Sequence, residues 1–477
     1  MTFTSFEFLL FFPLTVLLYN IVPTKGRVWY LLAVSYVFYA LMQPVYLVLL
    51  ATVTLLTYGI TRWIEYADND DRKRRIEVVG IILVLLPLFF FKYYNSVNEA
   101  ATSLLNVIGI NVTIPSVSWL LPVGISFYTF MSIGYIVDVY NEEVDVEKNI
   151  GSVGLFLSFF PIILSGPIER ADNMFPQFRQ MQRSKPSDLT AGAKMMLWGY
   201  FMKLCVADRL GIYVSAVFEN FAHHNGTSLA FASLLYPIQV YADLGGYSLI
   251  AIGAARCMGL KIIPNFNRPF FATSISEFWR RWHMSFIQWL TDYIYTPLTF
   301  IFRSQKMFGI VMALVLTFLI SGIWHGAGLT HIMWGLSQAL FLSIEAVTLK
   351  QRSAIEKKYE LPSKPLYITI CCIVVYLLFS LSQIFGKCAT VGDAWIVISK
   401  IFTNHGTLFV DQTTLGYACL MIIILAFKDF RDEFFPNKFK LFESKSIVVR
   451  YVSYIVILFL IVNMGVLDAG QFIYFKF

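Results

Sequence analysis

The stretch from Met307 to Ile344, which contains Ser321-Gly-Ile-Trp-His-Gly-Ala-Gly328, carries no Asp, Glu, Lys or Arg. It is far longer than the roughly 20 apolar residues that one perpendicular membrane span needs, so it reads as two spans, near 307–324 and 328–349. Working outward, comparable runs lie near 5–22, 28–42, 44–64, 76–91, 118–139 and 150–165, and again near 228–255, 366–385, 413–428 and 449–467. A chain that crosses lipid must satisfy its backbone polar groups internally, which leaves helices or a closed barrel. These runs exceed the ~10-residue alternating segments of a barrel. The expected fold is all-α, a polytopic integral membrane bundle of roughly 11–13 helices. It forms a single membrane-embedded domain over residues 1–477, with its motif-bearing core at about 118–345.

Composition agrees. Apolar residues make up 57% of the chain and charged residues 14%, against about 25% charged in an ordinary soluble domain. Mean hydropathy is +0.65. Tyr and Trp, 26 and 10 in number, suit span ends at the headgroup level. The net charge of +7 fits basic cytoplasmic loops, and no basic stripe or motif for nucleic acid accompanies it. Cys205, Cys257, Cys371, Cys372, Cys388 and Cys419 form no CxxC pair and read as small buried hydrophobes rather than a disulfide frame or a metal site. Residues 5–22 lack a basic leader and a small-residue cleavage site, so they read as a retained first span.

Basic residues in short loops set orientation. Lys25 and Arg27 follow the first run and Arg72, Lys73, Arg74 and Arg75 the third, whereas 93–117 has no Lys or Arg. The N-terminus is thus expected outside and the basic loops inside, with Arg352, Lys357 and Lys358 marking another inner loop. Residues 166–212 intersperse charges with Phe, Met, Trp and Leu. Such a segment lies in the interface, either as a plain amphipathic helix or as a substrate-entry surface.

Ionisable groups inside spans are costly and are functional candidates. His325 is flanked by small residues, with Trp324 able to wall off a pocket; a buried imidazole bonded to a carbonyl is the alternative. His331, six residues on, falls about 120° away on a continuous helix and reads as structural. In Ser276-Glu-Phe-Trp-Arg-Arg-Trp-His283-Met-Ser-Phe, helical spacing pairs Trp279 with His283 at i,i+4 and sets Arg280 at i,i+3 from His283. Glu277, Arg281, Gln288 and Asp292 form a separate polar stripe. Arg280 and Arg281 suit a phosphate-bearing ligand such as coenzyme A; on residue type alone, contact with lipid phosphates is the better reading. Asp243, within Tyr241-Ala-Asp-Leu-Gly-Gly-Tyr-Ser248, needs a partner, for which Arg256 or a histidine is available. His223 and His224 precede an Asn-Gly loop without acids or thiols and make no metal site.

Taken in order, Phe160-Pro-Ile-Ile-Leu-Ser-Gly-Pro-Ile-Glu-Arg, Val206-Ala-Asp-Arg-Leu, Asp243 through Gly253, Asn265-Phe-Asn-Arg-Pro-Phe, Glu277-Phe-Trp-Arg-Arg-Trp-His, Asp292-Tyr-Ile-Tyr-Thr-Pro and Trp324-His-Gly resemble the membrane-bound O-acyltransferase (MBOAT) family. The likeness is closest to the bacterial branch that includes the membrane component of alginate O-acetylation, and it runs from the N-terminus to about residue 345. Leu244-Gly245 stands where relatives commonly have Phe-Ser, Leu249 replaces an Asp, and Leu298-Thr-Phe-Ile-Phe-Arg303 replaces a basic Gly-Gly-Asn turn.

The resemblance implies a helical funnel with His325 at its constriction as catalytic base and His283 as the family's second histidine. Trp279, Arg280, Arg281, Trp324 and Asp243 are then expected to hold substrate or donor. It implies no bound cofactor, an acyl thioester donor (acetyl-coenzyme A first), and a location in the bacterial cytoplasmic membrane. It also implies an extracytoplasmic SGNH-hydrolase-like partner that passes the acyl group to a surface polysaccharide. D-alanyl transfer toward teichoic acid is the second reading. Outside this class, a proton-coupled transporter or flippase and a scaffold for polymer export stay open.

Overall fold

The computed structural model describes residues 1–110, 112, 114–164 and 166–467. Ser165, inside the Phe160–Arg170 stretch, lies outside them. Among the described residues every regular element is helical. In chain order these are α1 (Phe6–Ile21), α2 (Arg27–Ala40), α3 (Leu47–Glu65), α4 (Asp70–Val107), α5 (Ile125–Tyr140), α6 (Ile150–Ser158), α7 (Phe160–Ile163), α8 (Ala171–Arg179), α9 (Pro186–Tyr200) and α10 (Asp208–Glu219). There follow α11 (Gly226–Cys257), α12 (Ile275–Arg281), α13 (Met284–Leu290), α14 (Thr296–Ile301), α15 (Lys306–His325), α16 (Leu329–Lys358), α17 (Pro365–Lys387), α18 (Val391–Thr403), α19 (Gln412–Phe434) and α20 (Ile447–Met464). Helical segments spanning Pro44–Glu65, Asp70–Val107, Arg303–His325, Leu329–Lys358, Pro365–Lys387, Gln412–Phe434 and Ile447–Met464 are long and apolar enough to cross a membrane. The chain is a multi-pass membrane protein.

Each expected apolar run falls on a helix; α16 and α19 run on past 349 and 428, and three other changes of boundary have local causes. The run at 76–91 is the middle of α4, which begins earlier because the Asn69 side chain accepts the backbone N–H of Arg72 at 2.9 Å and so caps an orphan donor. The run at 118–139 becomes helical only at Ile125, because Gly124 before it is left-handed (φ 73°, ψ 2°) and Pro122 disfavours the α conformation in Leu121. The run at 150–165 breaks at Phe159 (φ −50°, ψ 110°), ahead of Pro161. The polar middle is a series of short helices, two of them joined to their neighbours by wide π-type turns at Phe201–Ala207 and Thr291–Tyr295.

The chain divides into two compact units. The first comprises Met1–Ala193 with Ala251–Ile263. Its interior holds an aromatic cluster of Phe3, Phe8, Phe38 and Phe160, with Phe38 and Phe160 ring centres 5.5 Å apart. Glu169, from the Gly-Pro-Ile-Glu-Arg stretch, is buried there; its carboxylate accepts the N–H of Ile263 at 2.6 Å and the Asn173 amide at 2.8 Å. That stretch is a tether for a loop. Leu9, Leu14 and Leu17 of α1 point outward, as lipid-facing side chains do.

The second unit comprises Lys194–Ile250 with the described part of Pro264–Phe477. Its axis is the α15–α16 hairpin, whose backbones nearly touch. A Cβ at Gly322 would lie 2.5 Å from the His331 carbonyl oxygen, and one at Gly335 would lie 2.3 Å from that of Phe318. Only glycine permits such an approach, because a backbone carbonyl cannot give way. Against the hairpin packs Trp279, its ring centre 5.2 Å from Phe318, while Phe278 and Trp282 meet Phe379 of α17 at 4.4 and 5.0 Å.

Candidate active site

Two local breaks in helix create the site in the second unit. The first ends α15 at His325: Gly326 is extended (φ −177°, ψ 155°) and α16 starts afresh at Leu329. A Cβ on Gly326 would lie 2.6 Å from His331 Nδ1, so the glycine lets the two histidines approach the same space. The expectation that His331 lies on another face of a continuous helix fails for this reason. His331 faces the same cavity as His325.

The second break ends α12 at Arg281, and His283 follows with φ 44° and ψ 50°. A side-chain-bearing residue adopts that left-handed conformation only when its surroundings enforce it, at a cost of order 1–3 kcal/mol. Here buried Asn265 enforces it. Its carbonyl accepts the N–H of Met284 at 2.9 Å, and its side-chain oxygen accepts the Ser285 hydroxyl at 2.9 Å. Its amide nitrogen in turn donates to Ser248 Oγ at 3.0 Å. At the other end, Ser274 Oγ accepts the N–H of Glu277 at 3.1 Å and the Glu345 carboxylate accepts that of Ile275 at 2.8 Å. His283 therefore does not continue the helical face of Trp279 and Arg280, contrary to the i,i+4 expectation.

His283, His325 and His331 line one cavity of about 40 Å³ with Trp279, Trp282, Phe286 and Trp334. Tyr236 and Gln383 add a phenol and an amide. Phe286 lies between the first two histidines, its ring centre 5.2 Å from His283 and 5.7 Å from His325. Trp324 stacks on Phe286 at 4.2 Å. His325 Nδ1 stands 2.8 Å from the Ser321 carbonyl oxygen. A carbonyl only accepts, so Nδ1 carries a proton, and in the neutral imidazole Nε2 keeps its lone pair. His283 is almost fully buried, and that burial lowers its pKa to about 3. Its imidazole is neutral at ordinary pH.

Other expected site residues lie elsewhere. Arg281 is held by Glu277 at 2.8 Å and Glu433 at 3.0 Å, and Arg280 is exposed; neither lines the cavity. The Glu277–Arg281 pair forms as expected, while Gln288 bonds Asp292 at 2.8 Å as a separate pair. Asp243 pairs with Lys203 at 2.6 Å, and Lys203 also holds Asp208 at 2.6 Å. Of the partners expected for Asp243, Arg256 or a histidine, Arg256 instead meets Asp188 at 2.7 Å. Asp243 thus belongs to a buried ion cluster and not to the cavity lining. Sequence reading gave no role to Asn265, Gln383, Phe286 or Trp334. Asn265 and Phe286 carried a signal, since one opens and the other closes a quoted stretch.

This is a multi-pass membrane protein with an aromatic-walled cavity whose lining residues include imidazoles and no carboxylate. The family model described as MBOAT, membrane-bound O-acyltransferase family, matches residues 149–384. The chain is 36% identical over 350 residues to the probable alginate O-acetylase AlgI of Pseudomonas aeruginosa, covering 72% of this chain and 66% of that protein. It is 31% identical over 360 residues to the peptidoglycan O-acetyltransferase of Helicobacter pylori, covering 68% and 64%. A more distant relative is the teichoic acid D-alanyltransferase of Streptococcus thermophilus, 27% identical over 315 residues, covering 63% and 70%. The chain belongs to the membrane-bound O-acyltransferase family. It spans about two thirds of the length of these relatives. The family's class of reaction is O-acyl transfer.

Proposed function

We propose that the chain transfers an acetyl group from a thioester donor toward a hydroxyl of a cell-surface polysaccharide, with His325 as general base. The observation that carries this reading is the 2.8 Å contact between His325 Nδ1 and the Ser321 carbonyl, because it leaves Nε2 unprotonated and oriented. The acceptor hydroxyl gives its proton to Nε2 as its oxygen attacks the thioester carbonyl. The tetrahedral intermediate collapses, the C–S bond breaks, and the imidazolium returns the proton to the departing thiolate. His283, neutral and buried, supplies an N–H toward the developing oxyanion. The walls of indole and phenyl rings exclude water, which would otherwise compete as acceptor.

The size of the cavity favours a short acyl group. About 40 Å³ is room for roughly three waters at ~10–15 Å³ each, so a short acyl group such as acetyl asks the least rearrangement of the walls. The names of the two more similar relatives agree, each being an O-acetyl transfer protein acting on a saccharide polymer. Coenzyme A is the proposed carrier of the thioester, the bacterial cytoplasmic membrane the proposed location, and an extracytoplasmic partner the proposed recipient. With Arg281 already paired, the recognition of a donor phosphate falls to other cations.

The test is His325→Ala in cells that O-acetylate their glycan. Loss of glycan acetyl ester with normal membrane insertion supports the assignment, and normal acetylation in that variant overturns it. Donor identity follows from incubating reconstituted protein with labelled acetyl-coenzyme A or with a D-alanyl carrier-protein thioester.

A further inference from the structure

A second cavity, far larger, lies among α9, α11, α19, α20 and the connection between α19 and α20. Its volume is about 1030 Å³, at the top of the roughly 300–1,000 Å³ range of ligand sites. Its floor is aliphatic and aromatic, with Ile423, Phe427, Val448, Val452 and Val456 among the lining residues. Several of these side chains are half exposed or more, Ile423 63% and Val448 67%. They belong to two helices long and apolar enough to span a membrane.

The polar residues of this cavity are mostly cationic: Lys194, Arg268, Lys428, Arg431 and Lys440, against Asp432 and Glu443. Asp432 is shared by Lys428 at 2.8 Å and by Arg431. Lys440 meets Glu443 only at 3.7 Å, and Lys194 has no ion pair or hydrogen bond among the described residues. Positive charge is therefore left over. Lys428 also sits 5.1 Å above the Trp198 ring, which holds its ammonium at the boundary of the apolar floor. The connection from α19 to α20 adds Lys438 and Lys445, so by the basic-loop rule this end of the cavity faces the cytoplasm, where anionic lipids collect.

We infer that this cavity is a binding site for an anionic glycerophospholipid of the cytoplasmic leaflet. The acyl chains lie along α19 and α20, and the phosphate meets Lys194, Arg431 and Lys440. An apolar trough with excess cations at one end matches an amphiphile with one negative head, and the apolar side chains of α19 and α20 are then covered. The site is distinct from the histidine cavity, and its existence does not depend on acyl transfer.

The experiment is native mass spectrometry of the purified full chain after exchange through detergent containing equal amounts of phosphatidylglycerol and phosphatidylcholine. Phosphatidylglycerol is expected to stay bound and phosphatidylcholine to wash out. Lys194→Glu with Lys440→Glu should lower the retained phosphatidylglycerol about tenfold or more. Val452→Trp, which fills the floor without altering charge, should do the same. Lys357→Gln with Lys358→Gln, basic residues outside the cavity, should leave retention unchanged. Equal retention of the two lipids, unchanged retention in either cavity variant, or preferential retention of added palmitoyl-coenzyme A would overturn the assignment.

Discussion

His325 donates its Nδ1–H to the carbonyl of Ser321, one turn back on the same helix, at 2.8 Å. Enzyme histidines are often oriented by a carboxylate, which also stabilises the imidazolium. Here the orienting group is a neutral backbone oxygen in the last turns of α15. The arrangement fixes the tautomer without placing a charge in the aromatic cavity. A base of this kind suits a transfer between neutral partners, a hydroxyl and a thioester.

If Nε2 of His325 is the base, its removal should act on turnover rather than on folding. His325→Ala is expected to lower acyl transfer by roughly 10²–10⁴-fold, the usual contribution of a positioned base. Thermal stability in detergent should change little, because the residue is only partly buried at a helix end. Single-turnover rates with acetyl-coenzyme A would check this. A rate within a factor of about three of wild type would remove His325 from the chemistry.

The apolar runs were legible because the demand that a span be long and uncharged acts on sequence directly. His325 was legible for the same reason, as an imidazole where charge is scarce. What escaped is tertiary. Helical spacing carried Trp279 through to His283, whereas Asn265, eighteen residues earlier in the chain, turns the backbone left-handed between them. Asp243 was recognised as needing a cation, but Lys203 reaches it from the π-type turn, whose extra residue per turn defeats face assignment by 3.6-residue periodicity. Arg281 looked available for phosphate because Glu433, far along the chain, is invisible to local reading.

Burial lowers the pKa of His283 to about 3, while an unfolded histidine titrates near 6.5. As pH falls below 6.5 the unfolded chain takes up a proton that the folded chain refuses, so stability drops by up to about 1.4 kcal/mol per pH unit until pH nears the folded value. Between pH 7 and pH 5 the wild type should lose roughly 2 kcal/mol more than His283→Gln. Denaturation midpoints of the two proteins across that range give the comparison. Parallel curves would mean that His283 is solvated or already charged when folded.

Gly326 holds open the approach of His331 to the cavity, since an added Cβ would come within 2.6 Å of the imidazole Nδ1 and 2.7 Å of Cε1. Gly326→Ala must therefore push the ring, and through it the start of α16, against the end of α15. A displacement of about 1 Å near reacting groups can cost on the order of 10²-fold in rate, so a loss of at least tenfold is expected. The clash is with a side chain, which makes it removable: Gly326→Ala combined with His331→Ala should recover part of the rate lost by the glycine change. A double variant no faster than Gly326→Ala alone would show that the strain lies in the backbone instead.

Lys203 is the single ammonium between Asp208 and Asp243, each at 2.6 Å, and all three side chains are at least nine-tenths buried. Burial pulls the lysine pKa down, but the two carboxylates outweigh it and hold the group protonated. Burial raises Asp208 to about 6, as expected where two acids share one cation. The three substitutions should therefore differ sharply. Lys203→Met takes the shared cation from two buried carboxylates and should cost about 3–5 kcal/mol, the cost of stripping one partner from a buried pair. Asp208→Asn leaves one acid with one ammonium and should cost under about 1 kcal/mol or stabilise, because it removes the surplus charge. Asp243→Asn should behave like Asp208→Asn if the cluster is purely structural, with acyl transfer retained in both. Loss of transfer in Asp243→Asn at unchanged stability would instead return that carboxylate to the reaction.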